Sequence, residues 1–290
     1  MAAKVEKDSV TGTETTGHEW DGIKELNTPL PKWWLYLFYA TIIWSIGYWI
    51  VYPAWPSLSG YTKGILGYST RVEFQEKMEA ARAIHQPFID RISSMSIEEV
   101  AADPELLQYA MAGGRSVFAE NCAACHGAGG QGAENFPVLA DDDWLWGGDL
   151  ASIQQTILYG VRSGHDETRI SEMPRFGVDG ILEPSQIEDV TQFVLSLSGR
   201  AEDAAAAERG SAVFAENCAV CHGEQGEGMV EMGAPRLSDD IWLYGDGSAA
   251  SIAAQINEPR HGVMPAWDGR LNETAVKLAA IYVHSLGGGQ

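Results

Sequence analysis

Basic residues are scarce in this chain: 19 lysines and arginines stand against 40 aspartates and glutamates in 290 residues, a formal net charge of -21. That balance argues against a nucleic-acid binder, whose phosphate contacts need clustered cations. Cysteine is scarcer still, with four residues, all of them in two Cys-x-x-Cys pairs. Bridging across two intervening residues strains a disulfide, so simple disulfides are not expected. No nucleophile or general-base constellation is visible, which leaves no substrate chemistry to assign. Long apolar runs are limited to one. A cleavable leader is not expected either, because roughly thirty polar residues precede that run, where a leader has a short basic start followed at once by apolar residues.

What is present starts with a repeat. Val-Phe-Ala-Glu-Asn-Cys-Ala-x-Cys-His-Gly occurs at residues 117 to 127 and again at 213 to 223. Cys-x-x-Cys-His places two thiols one helical turn apart, each able to form a thioether to one porphyrin vinyl group, with the adjacent histidine facing the iron. Cys122, Cys125 and His126 are therefore expected to hold one covalent haem c, and Cys218, Cys221 and His222 a second. A thioredoxin-like dithiol would sit between a strand and a helix, whereas these motifs lie in helical, Gly-flanked segments. A zinc site would not explain a histidine directly after each pair.

The repeat continues downstream. Pro137, Leu139, Asp142, Trp144, Leu145 and Trp146 are echoed by Pro235, Leu237, Asp240, Trp242, Leu243 and Tyr244. A period of about a hundred residues is longer than solenoid repeats and points to domain duplication. The Pro-x-Leu pairs resemble a feature of small class I cytochromes c, in which the proline carbonyl accepts a hydrogen bond from the proximal histidine and fixes its tautomer.

Met173 and Met264 are the candidates for the sixth ligands. Each precedes a proline on a Gly-rich stretch downstream of its motif, and proline stiffens a loop that must present sulfur. A thioether ligand raises the reduction potential. Met229 and Met232 follow His222 too closely to reach the opposite haem face, and Met1, Met78, Met95 and Met111 precede both motifs. His165 and His261 are competing ligands. Local pairing gives Met173 to the first haem and Met264 to the second; two domains packed face to face would permit the exchanged pairing, and both stay open. Arg162, Arg169, Arg175, Arg236, Arg260 and Arg270 lie on the ligand-side loops as candidate partners for haem propionates.

The fold class expected is mostly α, with one N-terminal transmembrane helix followed by two tandem class I cytochrome c domains. Residues 33 to 52 are twenty residues without a charge, the length that crosses a hydrocarbon core. Trp33, Trp34 and Tyr36 crowd one end and Tyr48, Trp49, Tyr52 and Trp55 the other, as interfacial belts do. Lys24 and Lys32 lie closer to the span than Lys63 and Arg71, which favours a cytoplasmic N-terminus. Residues 1 to 32 form that cytoplasmic segment. The first nineteen are polar, threonine-rich and aperiodic, and predict disorder. Residues 53 to 103 form a connector with an amphipathic helix over 69 to 92, a Ser96–Glu99 capping box and a helix start at Asp103-Pro104. Domain 1 covers 104 to 199 and domain 2 covers 200 to 290. Pro184 to Leu197 and Asn272 to Leu286 read as their closing helices, and 200 to 208 as a linker or the first turn of the next helix.

The flanks of the span carry the most specific likeness. DGIKELNTPLPKWW before it, YPAWP at its exit and GYTKGILGYSTR beyond it resemble the dihaem subunit III of cbb3-type cytochrome c oxidases, the CcoP/FixP family, and the likeness covers nearly the whole chain. The resemblance implies a bacterial inner-membrane protein with periplasmic haem domains, taking electrons from a soluble or membrane cytochrome c donor. Its implied partners are a haem-copper catalytic subunit that reduces O2 and a monohaem cytochrome c subunit. It also implies that the axial methionines are exchanged between domains. An independent dihaem carrier, or a cytochrome subunit of a periplasmic dehydrogenase, is the alternative. A dihaem peroxidase needs an open sixth position, against which two Met-Pro loops speak.

Overall fold

The computed structural model describes residues 4–287, and the chain divides into two compact units, one ending at Ala83 and one starting at Ile84. In the first unit a hairpin of β1 (Thr15–Trp20) and β2 (Ile23–Leu26) precedes helix α1 (Lys32–Val51). The hairpin corrects the expectation of disorder through residue 19; of that stretch, residues 1–3 lie outside the described residues. Its cause is local. Trp20 pairs with Ile23 across Asp21-Gly22, whose φ angles of 46° and 84° are both positive, the two-residue turn whose twist matches paired strands. Thr15 is buried where its hydroxyl accepts from the Glu6 amide at 3.0 Å.

Helix α1 begins one residue before the expected span and ends one residue sooner, and none of its residues is buried. It is apolar all round. A helix of a water-soluble domain would bury a stripe of this surface, whereas α1 offers every face to its surroundings, as a membrane span does. Its last carbonyls are satisfied by a returning loop: the amides of Ile65 and Leu66 donate to Ile50 and Val51 at 3.0 and 3.1 Å. Gly64 makes this approach possible, because a Cβ there would stand 2.3 Å from the Val51 carbonyl oxygen. A short hairpin of β3 (Pro56–Ser57) and β4 (Gly60–Tyr61) lies between, and helix α2 (Thr70–Ser94) crosses the boundary of the two units.

The second unit is helical: α3 (Ile97–Ala102), α4 (Pro104–Asn121), α5 (Ala123–His126), α6 (Leu150–Tyr159), α7 (Pro184–Leu197), α8 (Ala204–Asn217), α9 (Ala219–His222), α10 (Ala249–Asn257) and α11 (Glu273–His284). The expected capping signals operate. Ser96 and Glu99 form the reciprocal box at α3, and the Asp103 carboxylate accepts from the Glu105 and Leu106 amides at α4. Asp203 caps α8, so residues 198–203 are the connection and 204 onward is helix.

Packing runs across the repeat rather than along it. Helix α11, last in the chain, packs on α4 and α6, and α7 packs on α8 and α10. Two lobes result. The first has a core of Leu106, Phe118, Ile153, Ile157, Val276 and Ile281, joined by Ile92 and Val100. The second has Ile187, Val190, Val194, Phe214, Ile252 and Ile256. Each pair of crossing helices meets at a glycine. A Cβ on Gly114 of α4 would lie 2.1 Å from the Leu278 carbonyl oxygen of α11, and one on Gly210 of α8 would lie 2.1 Å from that of Asp189 in α7. Lys277, buried on α11, donates to the carbonyls of Ile92 and Met95 at 3.2 and 2.8 Å and so satisfies groups at the end of α2 that α2 itself cannot.

Candidate functional site

Each attachment motif occupies the end of one helix and a single turn after it. Cys122 ends α4 and His126 closes α5; Cys218 ends α8 and His222 closes α9. Gly127 and Gly223 follow, with φ of 78° and 77°, and turn the chain away from the histidines. Both imidazoles point the same way. Nδ1 of His126 lies 3.1 Å from the Pro137 carbonyl oxygen, and Nδ1 of His222 lies 2.9 Å from that of Pro235. A carbonyl only accepts, so each Nδ1 carries the proton and each Nε2 keeps its lone pair for a metal. Burial depresses both imidazole pKa values below the usual histidine range, which keeps the rings neutral. Burial also pushes the thiols of Cys122 and Cys218 up to about 11, so neither is held as a reactive thiolate.

The cavity beside the second motif brings together Cys218, Cys221, His222 and Met173, walled by Phe214, Val190, Val194 and Ile252. This donor set in a largely apolar cleft fits a haem c: two thiols for attachment, one imidazole with a free Nε2, one thioether, and apolar side chains to pack on the ring. Met173 packs on the second core, and Met264 packs on the first, which also contacts Cys122 and Ala123. Met173 thus stands in the cavity of the second motif, and Met264 on the core against which Cys122 of the first motif packs. The segments carrying each methionine lead directly into α7 and α11, so they travel with the helices that cross between copies.

The loops are pinned by backbone pairing. Val161 and Met264 exchange two hydrogen bonds of 3.0 Å, and the Tyr244 hydroxyl accepts from the Gly262 amide at 2.7 Å. Trp144 packs on the first core, yet Trp146, two residues on, lines the second cavity and lies against Gly233. The repeated Trp-Leu-aromatic triplets are visible in the sequence; that Trp146, the third residue of the first triplet, reaches the other lobe is not. His165 is engaged elsewhere, stacked on Tyr159 with ring centroids 4.8 Å apart. His261 lines the second cavity but is solvent-exposed.

The candidate arginines separate. Arg162, Arg236 and Arg260 line the second cavity. Arg236 also pairs with Asp143 at 3.2 Å, and Arg260 lies over the Tyr244 ring. Arg169 donates to Thr156 at 2.8 Å and covers Trp146, Arg175 pairs with Asp179 at 2.7 Å, and Arg270 covers Trp267.

Comparisons with known proteins agree along the whole chain. The family model described as the N-terminal domain of cytochrome oxidase-cbb3, FixP, matches residues 12–59. The cytochrome c model matches 111–198, and the model for cbb3-type cytochrome c oxidase subunit III matches 205–283. The chain is 54% identical over 294 residues to the cbb3-type cytochrome c oxidase subunit FixP of Bradyrhizobium sp. (strain ORS 278), covering 100% of both. It is 52% identical to subunit CcoP of Azospirillum brasilense, covering 99% of this chain and 100% of that one, and 48% identical to CcoP of Cereibacter sphaeroides, covering 100% of both. An apolar helix with no buried face, a motif for covalent haem c in each cytochrome domain, and this full-length likeness lead to one conclusion: the chain belongs to the CcoP/FixP family of cbb3-type cytochrome c oxidase subunits, membrane-anchored cytochromes c that transfer electrons within an oxidase complex.

Proposed function

We propose that the chain binds two haems c, one per lobe, and relays electrons from a cytochrome c donor toward a haem-copper catalytic subunit that reduces O2, beside a monohaem cytochrome c subunit. In the first lobe Cys122 and Cys125 would attach the group, and His126 and Met264 would ligate its iron. In the second, Cys218 and Cys221 would attach it, and His222 and Met173 would ligate the iron. The observation that carries this reading is the cavity in which Met173 meets the second motif, matched by Met264 on the core that holds the first. Bound haem supplies a reversible one-electron couple.

The chain's own residues do the rest. Each proline carbonyl holds its histidine in the ligating tautomer and strengthens its basicity. The thioethers favour the reduced state, and the apolar walls of the second cavity lower the local polarity around its haem. The surplus of carboxylates gives the surface a negative field that speeds encounter with a basic donor. α1 anchors the haem lobes on the periplasmic side of the bacterial inner membrane, with the hairpin on the cytoplasmic side.

A single-haem chain made by Cys218→Ser and Cys221→Ser tests the ligand set. Met264→His in that background is expected to abolish the sulfur-to-iron charge-transfer band of the remaining ferric haem and lower its potential, while Met173→His leaves both unchanged. The reverse result would overturn the exchanged assignment. Two haems per chain by pyridine haemochrome analysis is the expected stoichiometry of the unaltered protein.

A further inference from the structure

Arg162 stands next to the Val161–Met264 bridge with its backbone in the left-handed region, φ 52°, a conformation that side-chain-bearing residues rarely adopt. Two further contacts explain what that conformation achieves. The guanidinium donates through Nε to the Gly262 carbonyl at 2.7 Å and through Nη1 to the Ser171 carbonyl at 2.8 Å. Gly262 is two residues before Met264, and Ser171 is two residues before Met173. One planar, permanently charged fork therefore grips the two methionine loops at the same register.

We propose that Arg162 is a shared clamp, a positioning residue that holds both axial methionines at once and makes the loosening of one loop felt by the other. This rests on the assignment of Met173 and Met264 as sixth ligands. The geometry is specific to arginine. The two acceptors come from loops of different sequence copies, and a lysine ammonium is a single point that cannot reproduce two divergent N–H bonds set by one rigid plane. The side chain is only partly exposed, so water replaces these bonds poorly. Its charge sits where the two Gly- and Pro-bearing loops meet, and it adds a bond from one side chain to both of them.

The test uses the full-length, haem-loaded chain in detergent and titrates each ferric haem with imidazole, which binds only when methionine leaves. Arg162→Gly removes the clamp and suits the left-handed backbone, so the fold is spared a new strain. Imidazole affinity is expected to rise on the order of tenfold at both haems together, a tenfold change being about 1.4 kcal/mol. Arg162→Lys, which keeps the charge, is expected to show the same rise and also serves if the glycine variant fails to retain two haems. Arg175→Gln removes a charge two residues beyond Met173 and is expected to leave both affinities within about twofold. A response at one haem alone, wild-type affinities in Arg162→Gly, or rescue by lysine would each overturn the clamp. If the methionines themselves are misassigned, the unaltered protein lacks the sulfur-to-iron band and Met→Ala changes nothing, a result distinct from any of these.

Discussion

Ile281 lies near the C-terminal end of the chain, well beyond the second attachment motif, yet it is 2% exposed in the core of the first lobe, beside Phe118 and Leu106. Ile281→Ala is therefore expected to destabilise the lobe that carries Cys122, not the one that carries Cys218. The size follows from burial: truncating a fully packed isoleucine costs about 2–5 kcal/mol, transfer and cavity terms together. Taking about 3 kcal/mol, and about 1.4 kcal/mol per tenfold, opening of the first lobe becomes roughly a hundredfold more frequent. Hydrogen exchange with mass spectrometry reads this directly. Under conditions where opening is at equilibrium, α4 amides around Phe118 are expected to exchange roughly a hundredfold faster, and α8 amides around Phe214 at the wild-type rate. Leu195→Ala, on α7 in the second core, is expected to give the mirror image. Faster exchange in α8 with α4 unchanged after Ile281→Ala would refute the crossed packing, and equal acceleration of both would refute the separation of the two cores.

Gly210→Ala tests the helix crossing. An alanine inside an exposed helix gains about 1 kcal/mol over glycine, but here the new Cβ meets the Asp189 carbonyl oxygen at 2.1 Å and backbone cannot rotate away. Overpacking costs about 1–3 kcal/mol or more, so a Tm several degrees lower is expected, and a higher one would contradict the crossing. Asp239→Asn tests electrostatics at a partly buried carboxylate, whose pKa is raised chiefly by burial and further by Asp143 nearby, against the lowering effects of the hydrogen bond from the Ile241 amide and of Arg236. A raised folded pKa means the native state prefers the protonated form. The wild type is therefore penalised at neutral pH and relieved as pH falls below the ordinary carboxylate range. The amide variant is expected to be slightly more stable at pH 7, by less than about 1 kcal/mol given solvent screening, with the gain vanishing near pH 3; a gain that grows on acidification would reverse the sign.

Much of the site was legible because its chemistry is written in short spacings. Cys-x-x-Cys-His, Pro-x-Leu and Met-Pro name the attachment residues, the histidine's partner and the candidate thioethers from neighbours a few positions apart. The ends of α3, α4 and α7 were legible for the same reason, since capping depends on residues within one turn. The hairpin before the span was missed although Asp21-Gly22 is a strong turn signal, because the threonine-rich stretch ahead of it reads as polar and aperiodic. The role of Trp146, the two-loop grip of Arg162 and the buried Lys277 had no local signature. Each depends on backbone carbonyls or cavities contributed by residues far away in the sequence.

By itself, then, the sequence determined what is covalent or local: two attachment motifs, one uncharged span, and helices with their start signals. Which closing helix completes which lobe was decided only in three dimensions. α7 and α11 present similar apolar stripes, so either suits either opening helix, and patterning cannot choose between them. Connectivity chooses. Residues 198–203 are a short joint between α7 and α8, and short joints make consecutive helices antiparallel neighbours. With α7 committed to the second lobe, the face of α4 is left for α11, and Met173 and Met264 pack on the cores that their following helices complete.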